Sequence, residues 1–268
     1  MPRLNAKLIR KTEARLTARL VRRWQKMIEQ ILERMKTLPF AEPEAAKAAE
    51  RKGIEDLQIG DLIDGLDGFR EVVEDVVVGA RATYRAGSKA QGQALKIGKY
   101  GLDFDMTYPD AERYMSRLRS LNLSNYRGSI TRTTKDRIRA ILTESVRSGR
   151  TYDETAKLIK DQGKAGVFSK ERGKLIAVNQ VGNAHEEGKR IMAEKFTQET
   201  GIRIKKSWQT SNDDRVTEEC QDYEDMGWIG VDDPFVSSSG TSDQRAPRET
   251  NPRCRCNTAY EEDTQENQ

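Results

Sequence analysis

The sequence is poor in the residues from which membrane proteins and disulfide-stabilised domains are built. Its 268 residues include three cysteines, too few for a disulfide framework in a chain of this length. Hydrophobic residues make up 35%, against roughly 45–50% in typical globular domains. The longest uncharged apolar run, residues 76–80, is far shorter than the roughly 18 residues that a membrane helix needs. We therefore expect a protein without a membrane partner that is made in the cytoplasm, with free or metal-bound thiols.

Catalytic signatures are equally scarce. His185 is the single histidine of the sequence, and its neighbours Glu186 and Glu187 look like exposed acids, not like groups that orient an imidazole. There is no phosphate-binding glycine loop, no H-E-x-x-H and no G-x-S-x-G. Carboxylate pairs such as Asp213 and Asp214 are typical of acidic turns. The sequence therefore predicts a protein that is not an enzyme.

The sequence is rich in charged residues, and its two ends differ in the sign of their net charge. Charged residues make up 34%. Residues 1–40 hold eleven Lys/Arg and three Glu, whereas residues 201–268 hold eight Lys/Arg and fifteen Asp/Glu. The basic end is suited to nucleic acid or to an acidic protein surface, and phosphate would repel the acidic end.

The basic end is also a long helical pattern. Between Leu4 and Leu38 the apolar residues recur mostly at steps of three, four or seven, which predicts one amphipathic helix of about 50 Å that ends at Pro39. Two interpretations remain open: an ordinary amphipathic helix with a solvated basic back, or a docking arm. For a docking arm, the candidate partner contacts are Leu8, Leu16, Leu20, Trp24, Ile28 and Ile31. The candidate contacts with DNA or an acidic surface are Arg10, Arg15, Arg19, Arg22 and Arg23.

Hydrophobic periodicity and turn residues divide the whole chain into five segments. We expect a docking arm over 1–40, a helical region over 41–130, a second helical region over 131–200, a Cys-containing α+β module over 201–260 and an acidic disordered tail over 261–268. A capping box of Thr151 and Glu154 is predicted to start one helix of the second region. The fold class is thus mainly α with a small C-terminal α+β module, elongated, with a long N-terminal amphipathic helix.

Strand periodicity begins only after Gly201. Residues 202–208 alternate in polarity with a period of two, and so do residues 255–260, which predicts two strands. Residues 217–226 are predicted to form a short helix, and residues 227–242 a surface loop.

The three cysteines fall within this predicted module. Cys254 and Cys256 would point to the same face of a strand, and Cys220 can approach from the short helix. Three thiolates in one place are candidate ligands for Zn²⁺, and buried reduced thiols are the alternative. A fourth ligand would have to come from Asp222, Asp213, His185 or a water molecule.

The order of these residues resembles the phage minor head proteins of the head morphogenesis class, typified by the F protein of phage Mu. Family members carry a segment of the form W-x-T-x-x-D-x-R-V-C-x-x-C, an acidic loop and a terminal H-P-N-C-R-C. The matching residues are Trp208, Thr210, Asp213, Arg215, Val216 and Cys220, followed by Asn251, Pro252, Arg253, Cys254, Arg255 and Cys256. The resemblance extends over roughly residues 131–260.

Two positions depart from the family pattern. Thr217 stands where the family often has its first cysteine, and Asn251 replaces the histidine before Pro252. The residues that remain as ligands of a metal site of the family are therefore the three cysteines. We expect the guanidinium groups of Arg215 and Arg255 to pair with nearby acids, Asp213 or Asp222.

The resemblance implies a virion structural protein that acts in head morphogenesis. It implies a location inside the head near the portal vertex, with the portal protein as partner and the major capsid or scaffold protein and packaged DNA as further partners. A role in genome ejection is also implied. The alternative is a non-specific nucleic-acid-binding protein that uses its basic N-terminal helix.

Overall fold

Helices dominate the computed structural model, which describes residues 3–36, 38, 54–124, 129–214, 216–247, 251 and 254–264. The helices are α1 (Arg3–Met35), α2 (Ile54–Asp64), α3 (Gly68–Ala94), α4 (Tyr108–Leu123), α5 (Ile130–Arg147), α6 (Tyr152–Ala165), α7 (Lys170–Thr200) and α8 (Glu218–Asp225). The strands are β1 (Ile204–Gln209), β2 (Trp228–Gly230), β3 (Phe235–Val236), β4 (Ser242–Asp243) and β5 (Asn257–Glu262). The predicted fold class, helical with a small C-terminal sheet module and a long first helix, is confirmed. None of the described helices has the length and apolarity needed to cross a bilayer.

The chain forms two compact units. The helical unit comprises Arg15–Val77 and Arg117–Lys174. The sheet-containing unit comprises Met1–Ala14, Val78–Ser116 and Leu175–Gln268.

In the helical unit, most of the apolar stripe of α1 is buried within the protein itself. Leu16, Leu20, Trp24 and Ile31 are at most 2% exposed. The Trp24 ring lies 6.4 Å from the ring of Phe168. These four side chains are therefore core residues and not partner contacts, which corrects that part of the docking-arm hypothesis.

The other two residues predicted for the docking surface differ from these four. Leu8 is 40% exposed and Ile28 is half-buried. A partner contact through α1 can therefore use Leu8 and the exposed polar back of the helix.

A half-buried cation completes this core. Arg172 lies 5.7 Å above the Trp24 ring and donates to the Thr134 hydroxyl and to the carbonyl oxygens of Val167 and Ile130. Burial lowers the pKa of Arg172 to about 10. The guanidinium remains charged at neutral pH and joins the start of α7 to the start of α5.

The helix ends follow the local sequence. Thr151 and Glu154 form the predicted capping box at the start of α6. Gly149 and Gly201, placed just after α5 and α7, have φ angles of 63° and 70°, the left-handed region in which glycine carries no steric penalty. The capping box therefore predicted the start of α6 correctly.

The sheet-containing unit is built on an antiparallel sheet with the order β2-β1-β5. In β1 the buried side chains are Ile204, Lys206 and Trp208, as the alternation predicts. Lys206 is paired in register with Tyr260 of β5.

Three predictions for this region need correction. The predicted loop 227–242 contains β2 and β3, because strands of two or three residues are too short to show a period. The predicted strand over 255–260 begins only at Asn257, so Cys254 and Cys256 lie just before it. The tail prediction fails at Glu261 and Glu262, which are part of β5; residues 265–268 lie outside the described residues.

Helices α3 and α7 cross at backbone contact in the same unit. A Cβ on Gly188 would overlap the Tyr84 carbonyl oxygen, and one on Gly87 would overlap the carbonyl oxygen of His185. The Ser88 hydroxyl donates to the carbonyl oxygen of Gly188 at 3.1 Å. Only glycine allows the two backbones to approach so closely.

This crossing generates a stability prediction. Gly188→Ala should destabilise the protein by about 1–3 kcal/mol or more, because the new methyl group meets backbone that cannot move aside cheaply. Gly182→Ala on the same helix is the matched control, since its Cβ would meet only Pro247 at 4.0 Å. The control should be neutral or stabilised by up to about 1 kcal/mol, as expected for Gly→Ala in a helix. Thermal unfolding followed by circular dichroism checks both, and equal behaviour of the two variants would contradict the crossing.

Candidate functional site

The three cysteines lie together in the small core of the C-terminal module. Their sulfur atoms are all within 4.8 Å of one another, and those of Cys220 and Cys254 are 4.0 Å apart. Exposure is 1% for Cys220, 7% for Cys254 and 4% for Cys256. The structure therefore brings together all the thiols that the sequence singled out.

Aromatic side chains form the rest of this core. Trp208 is fully buried and makes edge contacts with Tyr223 at 4.8 Å and Phe235 at 5.3 Å between ring centroids. Val216 packs against the same cluster. Trp208 and Val216 of the resemblance motif are thus core residues beside the thiols.

Other motif residues hold the short helix α8 in place. Glu224 accepts hydrogen bonds from the backbone N–H and the hydroxyl of Thr210, at 2.9 and 2.7 Å. Asp213 accepts from the Ser211 hydroxyl at 3.1 Å. Arg215 and Pro252 lie outside the described residues.

The predicted partners of Arg255 are wrong. Arg255 pairs with Glu13 of α1 at 3.6 Å, within the sheet-containing unit. The carboxylate of Asp222 instead accepts from the backbone and hydroxyl of Ser238 at 2.8 and 2.6 Å. The two predicted acids belong to the same C-terminal module as Arg255, whereas its actual partner lies in α1.

The thiols influence one another's protonation. Hydrogen bonds from Cys254 and Cys256 lower the pKa of Cys220, and the hydroxyl and backbone N–H of Thr217 add to this effect. The same contacts with Cys220 and Cys254, together with burial, raise the pKa of Cys256. The cluster thus accommodates one negative charge readily and resists further ones.

The geometry fits the metal that the resemblance implies. At Zn–S bonds of about 2.3 Å in a tetrahedron, two thiolates lie about 3.8 Å apart. The observed separations, 4.0 Å and at most 4.8 Å, need to close by less than about 1 Å. Cys220, Cys254 and Cys256 are therefore the residues that would hold the ion, and its role there would be structural.

Beside this core lies a buried ion pair that sequence reasoning missed. Glu186 and Lys189 on α7 are each 3% exposed, and the Lys189 ammonium lies 3.0 Å from the Glu186 carboxylate. Glu186 also accepts from the Thr258 N–H at 2.9 Å and contacts Nδ1 of His185 at 2.9 Å. Lys189 donates to the Thr258 carbonyl oxygen.

The expectation that Glu186 is exposed is therefore wrong. The local sequence carries no signal for this burial, because Glu187 has the same spacing to Arg190 as Glu186 has to Lys189. His185 is 7% exposed and packs within the protein, in agreement with a helix-packing histidine.

The basic candidates on α1 differ in their surroundings. Arg10, Arg15 and Arg22 are exposed. Arg19 and Arg23 pair with Asp75 at 3.4 and 3.1 Å. Arg23 also pairs with Glu71 at 2.7 Å, so two of the five predicted cations have acidic partners within the helical unit.

Long helices, a small antiparallel sheet and a thiol-bearing core make up the part of the chain that the structure describes. Residues 136–259, just under half of the chain, match the model of the family described as Phage Mu protein F like protein, the family that the sequence resemblance predicts. This match indicates a structural protein related to the phage head. The match runs from α5 into β5 and includes the three cysteines and Trp208. No curated protein and no solved structure matches the chain.

The buried carboxylate of Glu186 predicts a specific pH dependence. Its contacts with Lys189, His185 and Thr258 outweigh burial and lower its pKa to about 2, against about 4.3 in an unfolded chain. Between these two values the unfolded state binds more protons than the folded state, so stability should fall as pH falls from about 4.5 to 2. At neutral pH Glu186→Gln should cost about 3 kcal/mol.

Urea unfolding at several pH values checks this prediction. The deficit of Glu186→Gln should shrink as pH falls through that window, because the wild type loses what the variant already lacks. Glu199→Gln, an exposed position on the same helix, should match the wild type throughout. A Glu186→Gln variant as stable as the wild type at neutral pH would contradict the assignment.

Proposed function

We propose that this protein is a minor structural component of the phage head that associates with the portal vertex and enters the procapsid before the genome. The family match over residues 136–259 carries the proposal. The portal protein is the proposed main partner, and the major capsid or scaffold protein a further one. The proposed location is inside the head near the portal vertex, after assembly in the host cytoplasm.

The distribution of charge supports a role in protein contact. Residues 216–244, all of them described, carry eight carboxylates and no Lys or Arg. Such a surface repels nucleic acid, so the C-terminal module is suited to contacts with protein. The exposed back of α1, with Arg10, Arg15 and Arg22, is suited to an acidic protein surface.

Site-specific photo-crosslinking in assembled procapsids tests this proposal. A photoreactive residue in place of Arg22 should give an adduct with the portal protein, because α1 presents this position to solvent. The same residue in place of Lys160, an exposed position on α6, is the control and should give less portal adduct. Adducts with other proteins alone, or none at all, would contradict portal association.

Contact with packaged DNA is a second candidate function. Arg19, Arg22, Arg23 and Lys26 line a cleft of about 440 Å³ on the helical unit, together with Asp75. Because Asp75 already pairs with two of these arginines, phosphate contacts would depend on the exposed cations. Such contacts would be independent of base sequence.

The salt dependence of DNA binding measures this contribution. Each phosphate contact adds roughly 0.9 to the slope of log K against log salt. The double variant Arg15→Glu/Arg22→Glu should therefore lower the slope by about 2. A charge-matched control, Arg147→Glu/Lys160→Glu, changes exposed residues of α5 and α6 and should leave the slope unchanged. An identical slope in both variants would remove α1 from the DNA contact.

A further inference from the structure

Three large apolar side chains are exposed on the C-terminal module beside the end of α8. Met226, Trp228 and Val236 are 38%, 42% and 45% exposed. Only Gly227 separates Met226 from Trp228, and the Val236 N–H donates to the sulfur of Met226 at 3.2 Å. The chain has three tryptophans, all of them described, and the other two are at most 1% exposed. Large apolar side chains that are grouped on a surface mark an interaction site.

The fold orients the ring of Trp228. Its neighbour Ile229 packs against the aromatic and thiol core, so Trp228 points to the opposite side of β2. The Lys205 ammonium lies over the Trp228 ring, 5.7 Å from its centroid, and pairs with Glu261 at 3.3 Å. A ring held in this way loses little conformational freedom on binding and is suited to anchor an interface.

Carboxylates accompany these apolar side chains. Asp225 directly precedes Met226, and Asp232 and Asp233 lie between β2 and β3; all three carboxylates are exposed. The segment that carries them, residues 216–244, contains no Lys or Arg. A fitting partner must therefore present an apolar side chain with cations beside it. The acidic apolar patch is defined as Asp225, Met226, Trp228, Asp232, Asp233 and Val236.

The first turns of α1 have the composition of such a partner. Leu8 is 40% exposed, whereas Leu16 and Leu20 on the same helix are at most 2% exposed. Lys11 follows Leu8 by three residues, which makes the two side chains neighbours on the helix surface, and Lys7 lies one turn before Lys11. Both lysines are exposed. The α1 tip is defined as Lys7, Leu8 and Lys11.

We propose that the α1 tip of one copy of this chain docks on the acidic apolar patch of a second copy. Both surfaces are exposed within a single chain, so neither is buried by the other there. Docking would bury Leu8 against the apolar side chains of the patch and bring two ammonium groups to its carboxylates. This self-association does not depend on the portal association proposed above.

Sedimentation velocity of the purified full-length protein, at several protein and salt concentrations, tests the proposal. The mass of the wild type should rise above the 30.5 kDa of one chain with protein concentration and fall again with salt, which screens exposed charges. Lys7→Glu/Lys11→Glu should weaken self-association on the order of tenfold or more, because like charges then meet. Trp228→Ala should weaken it by a similar factor. Lys157→Glu/Lys160→Glu, the same charge change at exposed positions of α6, is the control and should associate as the wild type does.

A complementary charge reversal identifies the two surfaces. Asp225→Lys/Asp233→Lys makes the patch basic and should also weaken self-association when this variant is alone. Mixing it with Lys7→Glu/Lys11→Glu should restore association, because each variant keeps the native surface that fits the native surface of the other.

Two results would contradict the proposal. A wild type that stays at the mass of one chain at all concentrations would overturn self-association and leave the acidic apolar patch to a different protein. A mixture of the two charge-reversed variants that associates no better than either variant alone would overturn the pairing of these two surfaces.

Discussion

The carboxylate of Glu186 is buried between a helix and a sheet, so the surrounding residues must supply hydrogen-bond donors and a positive charge. A lone carboxylate in such a place would cost several kcal/mol, so the Lys189 ammonium and the Thr258 N–H have to be present together. Because Thr258 belongs to β5, this requirement fixes the strand against α7. Cys256 stands two residues before Thr258, so the position of the thiol cluster depends on the same contact.

The close approach of α3 to α7 is a second constraint on the position of α7 in the sheet-containing unit. Gly87 and Gly188 let α3 approach α7 to backbone contact, and the Ser88 hydroxyl bridges them. The helical unit uses a different solution, in which the Arg172 guanidinium covers the Trp24 ring and binds three oxygens. In each unit, several partners therefore surround one charge that lies away from solvent, Glu186 in one and Arg172 in the other.

Much of this fold could be predicted from the sequence, because its signals are local. Helical periodicity predicted α1, the Thr151–Glu154 capping box predicted the start of α6, and alternation predicted the inward face of β1. The predictions that failed concern burial and ion-pair partners, which depend on tertiary structure. Nothing in the local sequence distinguishes Glu186, which is buried, from Glu187, and the partner of Arg255 lies in α1, more than 200 residues away.

The candidate sites differ in the same way. The three thiols were correctly predicted to lie in one place, whereas the apolar stripe of α1 was interpreted as a docking surface although most of it is buried within the chain. An amphipathic stripe does not reveal whether its own chain or a partner covers it.

The proposed function requires that this helical chain with its thiol-bearing module is built into the phage particle. Quantitative mass spectrometry of purified virions and DNA-free procapsids measures its presence directly. We expect peptides from both units in both particles, at a low and constant ratio to the major capsid protein. Absence of the chain from particles that are rich in capsid protein would contradict the proposed function.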